Sequence, residues 1–220
     1  MNIEKIKYAI FDMDGTLVDS MKYWKGLAAE YLHSKGIKDL PVDLNEKIKP
    51  MTMTESAAMF IDEFGIKGTV QDVEDEMNHM MDAHYINDVG LKEGIKDYLD
   101  NLKRAGVHMC VASATAEELV VKCLSRLGVY EYFEFAVSCD SAGAGKNSPA
   151  VYEMATKKLG ASRNETVVYE DAFYAVKTAK NAGFYVIGVY DENSRERWDK
   201  IKKIADGTIC DFNKLKGEIL

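Results

Sequence analysis

The sequence has few of the residues and runs that mark disulfide-stapled or membrane-spanning proteins. Its 220 residues include 3 prolines, 2 tryptophans and 4 cysteines. No apolar run approaches the roughly 18 residues that a membrane-spanning helix needs. The opening residues, M-N-I-E-K-I-K-Y, also lack the long apolar stretch of a signal peptide. We therefore expect a protein that does not contact a membrane.

The cysteines are widely spaced, at Cys110, Cys123, Cys139 and Cys210, and none forms a C-x-x-C pair. This pattern is typical of buried or half-buried thiols in a reducing compartment, so the cytoplasm is the expected location.

An excess of positive charge is also missing. The net charge is −8 and the sequence pI is about 5.1, which argues against a nucleic-acid partner because such a surface needs a basic face. Apolar residues make up 47% and charged residues 29%, as in ordinary soluble globular proteins. The length suffices for one α/β domain with a small inserted one. Oligomeric state leaves no mark in the sequence, and a monomer is the default expectation.

An apolar run of strand length at 8–11 ends in two carboxylates, Asp12 and Asp14, and Gly15 then lets the backbone turn. Catalytic groups in a parallel sheet lie just past the carboxyl ends of strands. Two acids placed there can divide the work of phosphoryl transfer. Asp12 attacks phosphorus as a nucleophile, and Asp14 protonates the leaving oxygen and later deprotonates water. The alternative is an aspartate-rich turn without a chemical role, since Asp and Gly are common there.

The pattern of the chain changes twice. Residues 17–88 show only helical periodicity, carry seven lysines against fourteen acidic residues, and hold seven of the 11 methionines. We interpret this segment as a helical cap domain inserted after the first strand. Residues 1–16 and 89–220 form the α/β core, because strands and helices alternate after Gly90, as in a parallel sheet with helices on both faces.

The later strands are predicted at 107–112, 135–138, 166–169, 185–189 and 208–210. The later helices are predicted at 93–105, 116–127, 150–159, 172–181 and 194–205, the last of them capped by Ser194.

Ser113, Ala114 and Thr115 follow the second predicted strand. A hydroxyl and free backbone N–H groups at a strand-to-helix turn form an anion site, which the positive end of the helix favours. The alternative is a helix N-cap, for which Ser and Thr are preferred anyway. Both interpretations hold if Thr115 caps the helix while Ser113 and the Ala114 backbone bind phosphate.

A glycine-rich loop at 143–149 contains Lys146. It is similar to a Walker loop, but Asp140 stands where that motif needs its first glycine and Asn147 where it needs Ser or Thr. We therefore interpret Lys146 as a lone cation that binds and neutralises the attacked phosphoryl group. The alternative is an ordinary surface lysine.

Glu170 and Asp171 end another apolar strand. Beside Asp12 and Asp14 they would form a cluster of like charges, whose pKa values would rise unless a cation occupied it. Hard oxygen ligands in an open site suit Mg²⁺. The sequence therefore predicts a magnesium site at this edge of the sheet.

The segment D-M-D-G-T-L-V-D-S at 12–20 resembles the first motif of the haloacid-dehalogenase superfamily, in its phosphatase and phosphoglucomutase-like branch. The resemblance continues through Ser113 in the second motif, Lys146 in the third, and Glu170 and Asp171 in the fourth. It covers nearly the whole chain. It implies a Rossmann-like core with a helical cap, an aspartyl-phosphate intermediate and Mg²⁺ as cofactor.

The metal ligands implied are the side chains of Asp12 and Asp171 and the backbone carbonyl of Asp14, with Glu170 bound directly or through water.

Two motifs depart from the family pattern. In the third, G-K-P-x-P-D, Asn147 replaces the first proline and Ala150 the aspartate. In the fourth, Ala172 replaces the usual serine and Ala175 the usual glycine. The departures in the third motif predict a less rigid loop around Lys146, although the lysine itself is in place.

The leading hypothesis is a Mg²⁺-dependent phosphatase acting on a small phosphorylated metabolite, with Asp12, Asp14, Ser113 and Lys146 as its catalytic residues. Catalysis in such an enzyme is mostly positioning and electrostatics. A second hypothesis is a sugar-phosphate mutase such as β-phosphoglucomutase. A third is a non-catalytic phosphate-binding protein on the same fold, because fold does not fix function.

The cap bears on the choice between hydrolysis and isomerisation. In the mutases that the chain resembles, a cap arginine follows a K-G-x-S segment and a histidine follows the first motif. Here Met53 and Trp24 stand at those positions, and 17–88 contains no arginine. The alternative is that Lys22, Lys25 and Lys49 substitute for it. We expect Trp24, Thr52 and Met53 to contact the substrate.

Overall fold

The computed structural model describes residues 7–48, 51 and 53–215. The chain divides into two compact units, one formed by residues up to 19 with those from 89 onwards, the other by 20–88. The expected boundary at 16/17 is three residues too early. Leu17 and Val18 are fully buried, Val18 forms a β-bridge with Leu91, and the Asp19 N–H donates to the Gly90 carbonyl at 2.9 Å. These contacts attach residues 17–19 to the core unit.

All regular elements in the described part of the unit at 20–88 are helices. Its helices are α1 (Met21–Ser34), α2 (Leu44–Ile48), α3 (Met53–Phe64) and α4 (Val70–Asn87). A capping box starts α4, in which the Thr69 hydroxyl accepts from the Asp72 N–H while the Asp72 carboxylate accepts from the Thr69 N–H. No helix in the described ranges is long and apolar enough to cross a membrane.

The core unit is built on a six-stranded sheet with the order β3-β2-β1-β4-β5-β6. Its strands are β1 (Tyr8–Phe11), β2 (His108–Ser113), β3 (Ala136–Ser138), β4 (Thr166–Glu170), β5 (Tyr185–Val189) and β6 (Gly207–Ile209). All neighbouring pairs are parallel. The prediction of an α/β fold on a parallel sheet is confirmed.

The helices that follow the strands are α5 (Ile95–Arg104), α6 (Glu117–Arg126), α7 (Ala150–Lys158), α8 (Phe173–Asn181) and α9 (Trp198–Ile204). The prediction that Ser194 caps the last helix is wrong. A 3₁₀ segment, Glu192–Arg197, precedes α9, and the Asp191 carboxylate accepts from the Asn193 N–H at its start. The turn thus uses aspartate, which bonds its backbone two residues on.

Side chains alternate between the two faces of each strand. On one face Ile10 and Val168 belong to a buried cluster that includes Tyr152 of α7 and Val176 of α8. On the other face the ring of Phe11 stacks on its neighbour Tyr169, with centroids 4.2 Å apart.

Candidate active site

The site lies where β1 and β4 end side by side. These strands mark the point at which the strand order reverses direction, which is where ligands bind in open α/β sheets. Phe11 is in register with Tyr169, and the Asp12 N–H donates to the Tyr169 carbonyl at 3.0 Å. Asp12 is therefore a neighbour of Glu170. By alternation both side chains lie on the face that carries Ile10.

Lys146 joins the two strand ends. Its ammonium group donates to Asp12 Oδ1 and to Glu170 Oε1 at 2.6 Å, and the residue is only 6% exposed. It is thus a buried cation and not a surface lysine. The loop that carries Lys146 forms a turn without the family's first proline. The Ser148 N–H donates to the Gly145 carbonyl at 2.9 Å in this turn.

Asp12, Glu170 and Asp171 form a buried acidic cluster, in which one ligand oxygen from each lies within 4.8 Å of the others. Burial, reinforced by the charge of Glu170, raises the pKa of Asp12 to about 8, although Lys146 opposes the shift. Burial and the charge of Asp12 also hold the pKa of Asp171 well above its ordinary value. The two carboxylates beside Lys146 raise the pKa of its ammonium group despite burial.

This cluster has the chemistry of a divalent-cation site. Its donors are all carboxylate oxygens, which are the ligands that Mg²⁺ prefers. The single ammonium group of Lys146 leaves a surplus of negative charge, which adds to burial in raising the pKa values of Asp12 and Asp171. Asp12, Glu170 and Asp171 therefore fit the expected metal.

The side chain of Asp14 is not part of the cluster formed by Asp12, Glu170 and Asp171. Its Oδ2 accepts a hydrogen bond from Thr115 Oγ1 at 2.8 Å, so the carboxylate of the turn is held by the end of β2. The expected contact of the metal with the Asp14 backbone carbonyl stays a prediction. The Thr16 hydroxyl of the same turn is buried and has no hydrogen-bond partner among the described residues.

Ser113 ends β2 and is fully buried. Its Oγ accepts from the Thr115 N–H at 3.0 Å, and Ala114 between them is exposed. The prediction that Thr115 caps the next helix is wrong, because Ala116 is the N-cap of α6 and makes no side-chain cap. The Thr115 hydroxyl bonds Asp14 instead. Phosphate binding by Ser113, Ala114 and Lys146 stays a prediction.

Two residues of the site were not expected from the sequence. The Tyr152 hydroxyl donates to Glu170 Oε1 at 2.7 Å, and Ser194 Oγ lies 3.5 Å from Asp171 Oδ2. Tyr152 lies 18 residues before its partner and Ser194 lies 23 residues after its partner. An apolar-patterned helix and an irregular turn carry no local signal that could have found them.

The expected substrate residues of the helical unit are placed in part. Trp24 is half-buried and its Nε1 donates to the Tyr85 hydroxyl at 3.0 Å. Met53 is half-buried at the first position of α3. Thr52 lies outside the described residues. Their role toward a substrate stays a prediction.

Comparisons with known proteins show which family the chain resembles. The family model described as haloacid dehalogenase-like hydrolase matches residues 9–189. Beta-phosphoglucomutase of Bacillus subtilis is 26% identical over 197 residues, covering 84% of this chain and 83% of the relative. Phosphoglycolate phosphatase of Neisseria meningitidis is 26% identical over 199 residues, covering 85% and 81%.

Among solved structures, CbbY from Rhodobacter sphaeroides in complex with xylulose-1,5-bisphosphate superposes with a TM-score of 0.76. It is 23% identical, and the match covers 96% of each chain. At that identity the similarity shows the fold alone.

Proposed function

The chain belongs to the haloacid dehalogenase-like hydrolases, and on that premise we propose that it is a Mg²⁺-dependent phosphatase of small phosphorylated metabolites. One observation carries the proposal. Lys146 bonds both Asp12 and Glu170 at the ends of two adjacent strands, with Asp171 in the same buried cluster. This set combines a nucleophile, a cation for phosphoryl oxygens and a metal-ligand group.

In the proposed first step an Asp12 carboxylate oxygen attacks phosphorus, and the bond from phosphorus to the leaving oxygen breaks. Asp14, as the acid, gives its proton to that oxygen, which leaves as an alcohol. The Thr115 hydroxyl orients Asp14 through its hydrogen bond to Oδ2. The product of this step is phosphorylated Asp12.

In the second step the Asp14 carboxylate removes a proton from water. The water oxygen attacks phosphorus, the bond to Asp12 breaks, and inorganic phosphate leaves with the Asp12 carboxylate restored. Lys146 stays beside the reacting group in both steps, where its charge offsets that of the phosphoryl oxygens. Ser113 and the Ala114 backbone bind the phosphoryl group at the end of β2.

Asp12 and Asp171, with Glu170, would hold the Mg²⁺ ion. When bound, this ion supplies positive charge that stabilises the phosphoryl oxygens and lowers the pKa values of the carboxylates. Asp12 then stays ionised, as a nucleophile must be.

The proposed substrate is a small phosphate monoester, and Trp24, Thr52 and Met53 are our candidates for contacting its leaving group. The proposed enzyme works as a monomer in the cytoplasm, where its four free thiols would stay reduced. Of these, Cys210 is exposed and not buried as expected.

The test is a p-nitrophenyl phosphate assay with and without Mg²⁺, followed by a screen of phosphorylated metabolites ranked by kcat/KM. Mg²⁺-dependent release of inorganic phosphate supports the proposal. No turnover of any ester would overturn it and favour a phosphate-binding protein. The Asp12→Asn variant is the control, because any phosphate that it releases comes from a contaminating phosphatase.

A mutase is the second candidate, because one relative named above is a β-phosphoglucomutase. A mutase must bind a second phosphate, but the 20–88 segment contains no arginine and is strongly acidic, which opposes such a group at close range. The test supplies β-glucose 1-phosphate, Mg²⁺ and a trace of glucose 1,6-bisphosphate. Glucose 6-phosphate formed much faster than inorganic phosphate would favour the mutase.

A further inference from the structure

A buried tyrosine, Tyr152, contacts the acidic cluster of the candidate site through Glu170. Tyr152 lies on α7 and is fully buried, with its ring packed edge-on against Phe184 at a centroid distance of 6.2 Å. Its hydroxyl donates to Glu170 Oε1 at 2.7 Å. A buried hydroxyl needs a hydrogen-bond partner. The partner here, Glu170, belongs to the proposed metal site.

Glu170 Oε1 therefore accepts from two donors, Lys146 Nζ at 2.6 Å and the Tyr152 hydroxyl at 2.7 Å. Two donors on one oxygen fix the rotation of the carboxylate. The Lys146 ammonium group also lies 5.9 Å from the centroid of the Tyr152 ring. Tyr152 thus contacts both Glu170 and Lys146.

We propose that Tyr152 is a positioning residue, whose hydroxyl holds the Glu170 carboxylate in the orientation that completes the Mg²⁺ site. This inference rests on the proposed function for the identity of the ion. Partners that hydrogen-bond a ligating carboxylate orient it, and their loss typically lowers metal affinity by about 10- to 100-fold.

The hydroxyl, and not the ring, carries this role. Phenylalanine would fill the same space against Phe184 and leave the packing of α7 in place. The hydroxyl is the donor in this contact, because a carboxylate oxygen such as Glu170 Oε1 can only accept. Tyr152→Phe removes that donor alone.

The test measures Mg²⁺ binding to the full chain by isothermal titration calorimetry, and separately the Mg²⁺ concentration for half-maximal hydrolysis. Tyr152→Phe should raise the Mg²⁺ dissociation constant by about 10- to 100-fold, with a matching rise in the activation midpoint. The matched control is Tyr98→Phe. Tyr98 is also buried, and its hydroxyl bonds the Tyr169 hydroxyl at 2.7 Å, away from Glu170. This control should bind Mg²⁺ as the wild type does.

Wild-type affinity in a folded Tyr152→Phe would overturn the inference. So would an equal loss in both variants, because the effect would then be general destabilisation. Absence of Mg²⁺ binding by the wild type would overturn it as well. Mg²⁺ binding without turnover of any phosphate ester would overturn the proposed function alone, since the calorimetric comparison still decides the role of Tyr152.

A second measurement covers the case in which Tyr152→Phe fails to fold. Wild-type protein labelled with 3-fluorotyrosine should show a fluorine resonance that moves both on Glu170→Gln substitution and on addition of Mg²⁺, because the Tyr152 hydroxyl bonds Glu170. If no resonance responds to both changes, Tyr152 does not position this carboxylate and the inference fails.

Discussion

At the scale of single residues, the carboxylates of the site are distinguished by what touches them. Asp12 is held by Lys146 and Asp14 by Thr115. Among the described residues, the side-chain donor to Asp171 is Ser194, at a long 3.5 Å. The acid whose hydrogen bond is longest has the most to gain from a metal ion. The different partners of Asp12, Asp14 and Asp171 thus give these three aspartates different roles.

Asp171→Asn should weaken Mg²⁺ binding by at least about 10-fold, because it removes a charge from the cluster while keeping the side-chain size. The measurement is the Mg²⁺ dependence of hydrolysis. Asp140→Asn makes the same change at an exposed loop residue and should leave the dependence unchanged. An unaltered midpoint in Asp171→Asn, or full activity in excess chelator, would contradict a metal role.

Asp14→Asn should lower the rate by about 10² to 10⁴ for an alkyl phosphate, the range for lost general acid–base catalysis. The loss should shrink with p-nitrophenyl phosphate, whose leaving group needs no proton. The measurement compares kcat/KM for the two esters in both proteins. An equal loss for both leaving groups would show that Asp14 is not the acid.

At the scale of elements, the sequence predicts regular segments well and long-range contacts poorly. The β5 bounds agree with the structure, and most helix ends lie within two residues of the prediction. These elements have strong apolar periodicity and glycine stops. The five-residue helix α2 is too short to show apolar periodicity, so the sequence does not predict its bounds.

In the candidate site, the sequence likewise predicts the residues at strand ends better than those on helices and turns. The proximity of Asp12 and Glu170 could be predicted because each stands at the end of its own apolar strand, and parallel strands bring such ends together. Tyr152, Thr115 and Ser194 could not be assigned, since their partners depend on how helices and turns pack over the sheet.

Gly188 shows how closely these elements pack. It lies on β5, where an added Cβ would overlap Ile201 Cγ2 of α9. Gly188→Ala should therefore lower the free energy of unfolding by about 1–3 kcal/mol, the usual cost of overpacking. Gly90→Ala is the control, because a Cβ there meets nothing within 4 Å. Urea denaturation measures both, and equal stability of the two variants would contradict this packing.

At the scale of the whole molecule, the buried acidic cluster links folding stability to pH. The pKa of Asp12 is about 8 in the folded chain against an ordinary value of 3.8, and Asp171 shifts in the same direction. The unfolded chain therefore releases these protons at lower pH than the folded chain. The metal-free protein loses stability as the pH rises between the two values.

In excess chelator, the Tm should fall as the pH is raised from about 4 to about 8, by reason of this linkage. Saturating Mg²⁺ should flatten the profile, because an ion that binds only the folded state stabilises it by mass action. Asp12→Asn should reduce the slope in chelator. A metal-free Tm that rises steadily over this interval would contradict the shifts.

The central claim, phosphoryl transfer to Asp12, is tested most directly by trapping the covalent intermediate. The Asp14→Asn variant, mixed with p-nitrophenyl phosphate and Mg²⁺ and quenched in acid, should accumulate it because no base activates the water of the second step. Mass spectrometry with peptide mapping is predicted to find one phosphoryl group on Asp12, and none in Asp12→Asn/Asp14→Asn. Phosphate on any other residue, or turnover by Asp12→Asn near the wild-type rate, would contradict the account.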